Sequence, residues 1–397
     1  MRLCFNHLLY AFSDALDYVE RDYFKTISFH GKRIAYFCSL LGEYFELNDE
    51  DLSCLVGCAI LHDNGLTEYY KYGDKVTDLE FLKIHCVVGE DNISFLPFYD
   101  KVKDVIKYHH ETADGSGPFS MTKENTPFYA QLIHICDWAD VEYELENISE
   151  EDYYQMIAEM NNQRDIQYDS VLVDAFQKII TYDVVKRSSR DVDRLLRESS
   201  HNIYKDFNSS EMLSICHLFA RIIDSKSPHT SSHSVGVASR AARMGMHYQY
   251  PKEMISKLFF VGAMHDVGKL VIDRDVLEKP AQLTDQEFTY IQTHAYYTYT
   301  ILSNMDLGDM THWASYHHEK LDGTGYPFGK KGEELDFIDR LLACCDIYQA
   351  LTEDRPYKNA IGHDKTIQIM RDMAAHNKID EKIVNDMDIV FGEIVTE

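Results

Sequence analysis

The chain has 397 residues, of which 45% are hydrophobic and 26% are charged, and its formal net charge is −27. This length allows two or three domains with separate cores, and the negative charge argues against duplex DNA or RNA as a partner, because these need basic surfaces. No apolar stretch is long enough to cross a bilayer and no signal peptide is evident, so we expect a cytoplasmic protein without membrane association.

Helical periodicity dominates the chain. In residues 27–45 and 232–248, apolar side chains recur at helical spacing, whereas the alternation typical of strands is scarce. The sequence therefore predicts an all-α fold.

The first predicted unit carries a set of potential metal ligands: His30, His62, Asp63, His85, His109, His110 and Asp137. Beyond the last of these, the segment that begins at Ile166 has a counterpart that begins at Lys378 near the end of the chain. We therefore predict that this unit runs over residues 1–180, and that the polar segment 181–205 is a helical linker.

The second predicted unit, residues 206–397, repeats the ligands in the same order: His233, His265, Asp266, His294, His317, His318 and Asp346. The first His precedes the His-Asp pair by 32 residues in both copies, and the His-His pair precedes the last Asp by 27 and 28 residues. Imidazole and carboxylate suit divalent Fe, Mn, Ni or Zn. The pattern indicates two tandem domains that arose by duplication of a metal site.

Three motifs in the second unit carry a family resemblance: the segment HDVGK that begins at His265, HHEKLDGTGYP that begins at His317, and DIYQALTEDRPYK that begins at Asp346. Together they resemble the HD-GYP branch of the HD phosphohydrolases over about residues 220–391. The resemblance implies two tandem HD-type helical domains, of which the second hydrolyses bacterial cyclic dinucleotides. The expected substrates are 3′3′-cyclic GMP–AMP and/or cyclic di-GMP, and tandem-domain enzymes that cleave cyclic GMP–AMP are expected as relatives.

The resemblance also implies roles for the ligands. His233, His265, Asp266 and Asp346 would bind one metal. Asp266 would bridge to a second metal, held by His294, His317 and His318. The metals, expected to be Fe, Mn or Ni, would activate a hydroxide that opens the ring to a linear 5′-phosphorylated dinucleotide.

Further residues are expected to contact the substrate. Lys269 follows His265 by one helical turn, so it faces the same cavity and can bind phosphate, and we predict it to be catalytic together with Asp266. The resemblance assigns substrate contacts to Lys269, Gly325, Tyr326, Pro327 and Arg355. Glu319 and Asp322 are expected to orient ligands or to cap the loop rather than to act as a general acid.

His229 raises the question of a third metal. It lies one helical turn before His233, at a position where three-metal members of the family have a Glu ligand. Its Pro- and Ser-rich surroundings are equally typical of a loop cap.

The first copy lacks most of the expected substrate contacts. Leu66 stands where the second copy has Lys269, the counterpart of Tyr326 is deleted, and Thr26 stands where the second copy has His229. Nothing in it corresponds to DRPYK. We predict that this copy binds metal but serves as a scaffold, a dimerisation surface or a sensor; the alternative is a second active site with another substrate.

Two other functions remain open at the level of sequence. One is a di-iron HD-type oxygenase, which would use the same ligands to activate O₂. The other is a non-catalytic sensor that binds metal and nucleotide. Lys269, the GYP loop and Arg355 favour phosphate chemistry, and the expected partners are a cyclic dinucleotide and a second copy of the chain in a homodimer.

Overall fold

The computed structural model describes residues 2–24, 29–66, 78–226, 233–279, 281–305, 307–354 and 360–392. The chain forms two compact units, residues 2–206 and residues 207–397. Helices provide nearly all of the regular structure, so the predicted all-α fold is confirmed. Within the described ranges, no helix is both long and apolar enough to cross a membrane.

Among its described residues, the first unit contains ten α-helices, a short 3-10 helix (Leu145–Asn147) and a two-stranded antiparallel sheet. Its helices are α1 (Phe5–Phe24), α2 (His30–Tyr44), α3 (Asp49–Leu61), α4 (Asp78–Ile93), α5 (Tyr99–Val102), α6 (Phe128–Tyr143), α7 (Glu150–Asn162), α8 (Ser170–Ile179), α9 (Tyr182–Val185) and α10 (Ser189–Glu198). The strands are β1 (Arg2–Cys4) and β2 (Tyr204–Asp206), with Leu3 opposite Lys205.

The described part of the second unit contains nine helices. These are α11 (Ser209–Ser225), α12 (His233–His247), α13 (Lys252–Met264), α14 (Arg274–Leu277), α15 (Asp285–Ser303), α16 (Met310–Ser315), α17 (Phe337–Thr352), α18 (His363–Ala375) and α19 (Glu381–Gly392). The segment Val267–Val271 forms a short 3-10 helix.

Hydrogen bonds from side chains define where several helices begin. The Asn48 side chain accepts from the backbone of Glu50 and Asp51 at the start of α3. Thr284 and Glu287 form a reciprocal capping box at the start of α15. Such caps stabilise a helix by about 1 kcal/mol each and satisfy amides that the first turn leaves without partners.

The same helix pair forms the centre of each unit: α2 packs on α3, and α12 packs on α13. Their contact faces are apolar and fully buried, as Ile34 and Leu55 show in the first unit and Val237 and Phe260 in the second. Burying each such side chain stabilises the fold by about 1.5–3 kcal/mol. The His-Asp pairs follow the ends of α3 and α13, so this packing holds them in place.

Two glycines allow the chain to turn tightly just after the His-Asp pairs. A Cβ atom at Gly65 would lie 2.1 Å from the carbonyl oxygen of His85, and one at Gly268 would lie 2.0 Å from that of His294. Only a residue without a side chain permits this approach. The close contact brings the His-Asp turn beside the helix that carries the next predicted ligand.

The predicted linker 181–205 contains two helices and a strand and lies within the first unit. Its helix α10 packs on α2, where Lys32 Nζ is 2.9 Å from Asp193 Oδ1. The Tyr10 hydroxyl also donates a hydrogen bond of 2.9 Å to Asn202 Oδ1. These contacts join residues 181–205 to the body of the first unit.

Candidate metal centres

The second unit brings its seven predicted ligands into one cluster, in which all but the partly exposed His318 are buried. In the first group, His233 Nε2 lies 3.6 Å from Asp266 Oδ2 and 3.2 Å from Asp346 Oδ1. His265 Nε2 lies 3.1 Å from Asp266 Oδ2. His233, His265 and Asp266 are spaced as a candidate metal-binding group.

A second group lies on the other side of Asp266 and consists of His294, His317 and His318. The Nε2 atoms of His294 and His317 are 3.3 Å apart. Asp266 Oδ1 is 3.4 Å from His294 Nε2, while its Oδ2 atom faces the first group. The two oxygens of Asp266 therefore face different groups, which is the arrangement expected of a bridging carboxylate.

Backbone hydrogen bonds orient three of these imidazoles. The Nδ1 atom of each donates to a carbonyl oxygen at 2.7 Å, and the donor–acceptor pairs are His265–Gly262, His294–Ile291 and His317–Ala314. Such a bond fixes the tautomer, so that Nε2 is the free ligand atom. All three Nε2 atoms therefore turn towards Asp266.

Burial and charge prepare the cluster for a cation. Burial lowers the pKa of His294 to about 4 and that of His317 to about 3, which keeps both rings neutral near pH 7. Burial raises the pKa of Asp266, but the charges of His265 and Lys269 outweigh it and hold that pKa well below its usual range. In the second group, neutral imidazoles beside an ionised carboxylate are the forms that bind metals. In the first group, burial lowers the pKa of His233, but hydrogen bonds to Asp346 and Glu353 outweigh it and raise that pKa to about 9, so a metal there would displace a proton.

Two buried atoms provide a direct test of whether a metal fits. His265 Nε2 and Asp266 Oδ1 are buried and have no hydrogen-bond partner among the residues that the structure describes. A buried polar atom without a partner costs about 1–3 kcal/mol. Both are metal-ligand atoms that point into the cluster, so a divalent cation fits the donor set.

The first unit assembles its own seven ligands in the same way. His30 Nε2 lies 3.2 Å from Asp137 Oδ1, and Asp63 Oδ1 lies 3.5 Å from His85 Nε2. The Nε2 atoms of His85 and His110 are 3.2 Å apart. His109 Nε2 is buried without a hydrogen-bond partner among the described residues, as His265 Nε2 is in the second unit. The first copy is therefore also a candidate metal centre.

A carboxylate outside each ligand set orients the first His, but it comes from a different place in each copy. His30 Nδ1 is 2.8 Å from Asp140 Oδ2, and Asp140 also accepts from Arg33 at 2.8 Å. His233 Nδ1 is 3.1 Å from Glu353 Oε2 instead. Aligning the sequences of the two copies does not pair these carboxylates. Asp140 lies three residues after the last Asp ligand of its copy, whereas Glu353 lies seven residues after that of the other.

We expect these carboxylates to tune metal affinity in their own copies. Glu353→Gln keeps the size of the side chain but removes the charge that polarises His233, so the second centre should bind metal about 10-fold more weakly. Asp140→Asn should weaken the first centre to the same degree. Titration of each apo variant with Mn²⁺ by calorimetry measures both effects, and equal losses in both centres from one substitution would contradict the assignment.

The loop after the His-His pair is held by a glutamate. Glu319 accepts hydrogen bonds from the backbone nitrogens of Phe328 (2.7 Å) and Lys330 (2.9 Å). A Cβ atom at Gly325 would lie 2.4 Å from the backbone nitrogen of Lys320, so only glycine fits. The geometry agrees with a role for Glu319 in shaping the loop.

Within this loop, Tyr326 lies beside the cluster. Its ring centroid is 4.7 Å from that of His318, and its backbone nitrogen donates to the carbonyl oxygen of His318 at 3.3 Å. Burial raises the pKa of the Tyr326 hydroxyl, so it stays protonated near neutral pH. The residue deleted from the first copy is therefore one that borders the ligands in the second.

The second copy also has a cation at the cluster. Lys269 Nζ donates to Asp266 Oδ2 at 2.5 Å, and the Lys269 side chain is partly exposed. In the first copy Leu66 occupies the equivalent turn and is buried. The two candidate metal centres therefore share the types of their seven predicted ligands but differ in the charge and the aromatic ring beside them. The first also has Cys86 in its second His group.

Several predicted residues have no described position. Arg355, His229 and Thr26 lie outside the described residues, so their predicted roles stay predictions. Pro327 follows Tyr326 in the described loop. Asp322, which was expected to cap the loop, accepts from Thr324 N at 3.1 Å and from Lys378 Nζ at 2.6 Å.

A family model described as HD domain matches residues 217–383. The 3′3′-cGAMP-specific phosphodiesterase 1 of Vibrio cholerae is 27% identical over 370 residues, which cover 89% of this chain and 85% of that protein. The cyclic di-GMP phosphodiesterase PA4108 of Pseudomonas aeruginosa is 32% identical over 152 residues, which cover 37% of this chain and 36% of that protein.

A solved structure shares the fold over nearly the whole chain. The crystal structure of a cyclic GMP–AMP specific phosphodiesterase of V. cholerae, V-cGAP3, matches with a TM-score of 0.66 at 21% identity. The match covers 99% of this chain and 98% of that one. The prediction of an HD-type architecture is confirmed.

Proposed function

We propose that this chain, which carries an HD domain at residues 217–383, is a metal-dependent phosphodiesterase that hydrolyses bacterial cyclic dinucleotides. The observation that carries the proposal is the cluster in the second unit, where two His-rich groups share Asp266 and Lys269 Nζ lies 2.5 Å from that carboxylate. The names of the relatives support 3′3′-cyclic GMP–AMP as the first substrate to test and cyclic di-GMP as the second.

The residues of the second unit would have the following roles. His233, His265, Asp266 and Asp346 would hold one divalent metal, and Asp266 with His294, His317 and His318 would hold the other. Such metals would lower the pKa of a water molecule and offset the negative charge that develops on the phosphoryl oxygens. Lys269 would donate to a non-bridging phosphate oxygen as a point charge. Water adds to phosphorus and the P–O3′ bond breaks, which leaves a 3′-hydroxyl and a 5′-phosphate.

The loop would position the nucleotide. The ring of Tyr326 lies close enough to His318 to support a base or ribose beside the metals. Glu319, Gly325 and Pro327 would keep the loop in shape. Arg355 would add a guanidinium, a group that pairs with phosphate through two parallel hydrogen bonds.

The native metals would be Fe, Mn or Ni, which are among the divalent ions that imidazole and carboxylate donors suit. We propose two metals in the second unit and metal in the first unit as well. The first centre would serve as a scaffold, a sensor or part of a homodimer, because it has Leu66 in place of the cation Lys269.

A third metal at His229 gives a separate prediction. If His229 is a ligand, protein purified without chelators should contain more than two equivalents of metal in its second unit. His229→Ala should then lower the metal content by about one equivalent, because it removes one donor of that site. The His62→Ala/Asp63→Ala variant serves as the background in which only the second unit is counted. A metal content of two equivalents or fewer in the second unit, unchanged by His229→Ala, would exclude the third metal.

Incubation with cyclic di-GMP, cyclic di-AMP and 3′3′-cyclic GMP–AMP tests the proposed function. The protein should be loaded with Fe²⁺ without oxygen, or with Mn²⁺ or Ni²⁺, and the products identified by mass spectrometry. A linear 5′-phosphorylated dinucleotide is expected. Products that form only with O₂ would favour the di-iron oxygenase, and saturable binding without turnover would favour a sensor.

A further inference from the structure

A pocket of about 460 Å³ opens next to the metal cluster of the second unit. Its lining includes Gln292, His318, Lys320, Tyr326, His376 and Lys378. His318 belongs to the cluster and Tyr326 to the loop beside it, so the pocket continues the space around the metals. Its volume exceeds that of a single phosphate group.

The pocket wall carries two lysines that are far apart in the sequence of the second unit. Lys378 Nζ is held by Asp322 Oδ2 at 2.6 Å and by Thr324 Oγ1 at 2.9 Å. Lys320 is half-buried and has no carboxylate within 4.0 Å among the residues that the structure describes. A half-buried ammonium group that is not ion-paired with a carboxylate is available to bind an anion.

The partial burial of Lys320 strengthens such an interaction. An anion that enters the pocket would interact strongly with the Lys320 ammonium group, because water is partly excluded there.

The first copy shows that the fold does not require these lysines. Leu321 N donates to the carbonyl oxygen of Lys378 at 3.1 Å, and Ala113 N donates to that of Gln167 at the same distance. This shared hydrogen bond makes Gln167, one residue after Ile166, the counterpart of Lys378, and it makes Thr112 the counterpart of Lys320. The positive charges therefore occur only in the copy that also has Lys269 and Tyr326.

We infer that Lys320 and Lys378 form a subsite for the second phosphate of the dinucleotide, the one that is not being cut. The inference rests on the proposed function. A cyclic dinucleotide carries two negative charges, and the metals would neutralise only the phosphate at the cluster. In a chain with a net charge of −27, the other phosphate needs local cations, and the Lys320 amine in the adjacent pocket provides one.

The test compares a substrate with two phosphates and one with a single phosphate. Lys320→Met should lower kcat/KM for the preferred cyclic dinucleotide about 10- to 100-fold, mainly through KM, because a hydrogen bond to a charged group is lost. Hydrolysis of bis(p-nitrophenyl) phosphate, which has one phosphate, should fall less than about threefold. Lys320→Arg should keep most of the activity, because the charge remains.

Two controls separate this subsite from other effects. Lys257→Met removes the same charge from α13, where Lys257 pairs with Glu253 at 3.0 Å, and should leave both activities unchanged. Metal content and the thermal midpoint of Lys320→Met show whether the fold is intact. If Lys320→Met lowers the activity on both substrates equally, or on neither, Lys320 does not form a subsite for the second phosphate. If the wild type cuts bis(p-nitrophenyl) phosphate but no cyclic dinucleotide, the proposed function fails and the subsite fails with it.

Discussion

The His265→Ala/Asp266→Ala variant is expected to lose at least about 1,000-fold of its cyclic dinucleotide hydrolysis, equivalent to about 4 kcal/mol of transition-state stabilisation. Asp266 is the carboxylate whose two oxygens face both His groups, at 3.1 Å from His265 and 3.4 Å from His294. Its removal should therefore empty both metal positions at once. Steady-state hydrolysis and metal content measure the loss.

The matched variant in the first unit is His62→Ala/Asp63→Ala. It removes the equivalent pair from a centre that has Leu66 in place of Lys269, so hydrolysis should stay within about threefold of the wild type while the metal content falls. Circular dichroism should confirm that both variants are folded. If the first-unit variant alone abolishes hydrolysis and still holds the metals of the second unit, the catalytic centre lies in the first copy.

The ligands could be predicted from the sequence because they are tied to local structure. His265 and Asp266 are adjacent at the end of one helix, and His317 and His318 are adjacent in one turn, so order and spacing survive in both copies. Asp140 and Glu353 could not be paired in the same way. The first lies inside α6, whereas the second follows the end of α17. Only tertiary packing shows that each reaches the first His of its own copy, His30 or His233.

The reason for this difference lies in a neighbouring contact. Arg33 in the first copy corresponds to Gly236 in the second, and Asp140 corresponds to Gln349. Arg33 pairs with Asp140 at 2.8 Å, whereas a Cβ atom at Gly236 would lie 2.3 Å from Gln349 Oε1. The second copy has a glycine packed on an amide where the first has a buried ion pair. Its carboxylate therefore has to come from elsewhere, and Glu353 supplies it.

Sequence patterns could not predict the pocket beside the second centre either. Lys320 and Lys378 are 58 residues apart, and each alone is an ordinary lysine in a charged segment. They line one wall because the backbone of Leu321 bonds to that of Lys378. The contrast with Thr112 and Gln167 becomes visible only when this hydrogen bond aligns the two copies.

Gly268→Ala should disrupt the second centre without touching any ligand. The new Cβ atom would lie 2.0 Å from the carbonyl oxygen of His294 and 2.6 Å from the backbone nitrogen of Thr298. Both are backbone atoms of α15, so neither can move aside as a flexible side chain could. The His-Asp turn and α15 must separate, which we expect to lower the free energy of unfolding by about 3 kcal/mol. This separation should also move His294 away from Asp266.

Gly332→Ala is the matched control, because its Cβ atom would meet Leu321 at 3.4 Å, an ordinary contact. Gly268→Ala should lower the thermal midpoint and release metal from the second unit, whereas Gly332→Ala should do neither. Gly65→Ala should have the same effect on the first centre, since its Cβ atom would lie 2.1 Å from the carbonyl oxygen of His85. A Gly268→Ala protein with wild-type stability and a full complement of metal would show that the turn is not what holds the two His groups together.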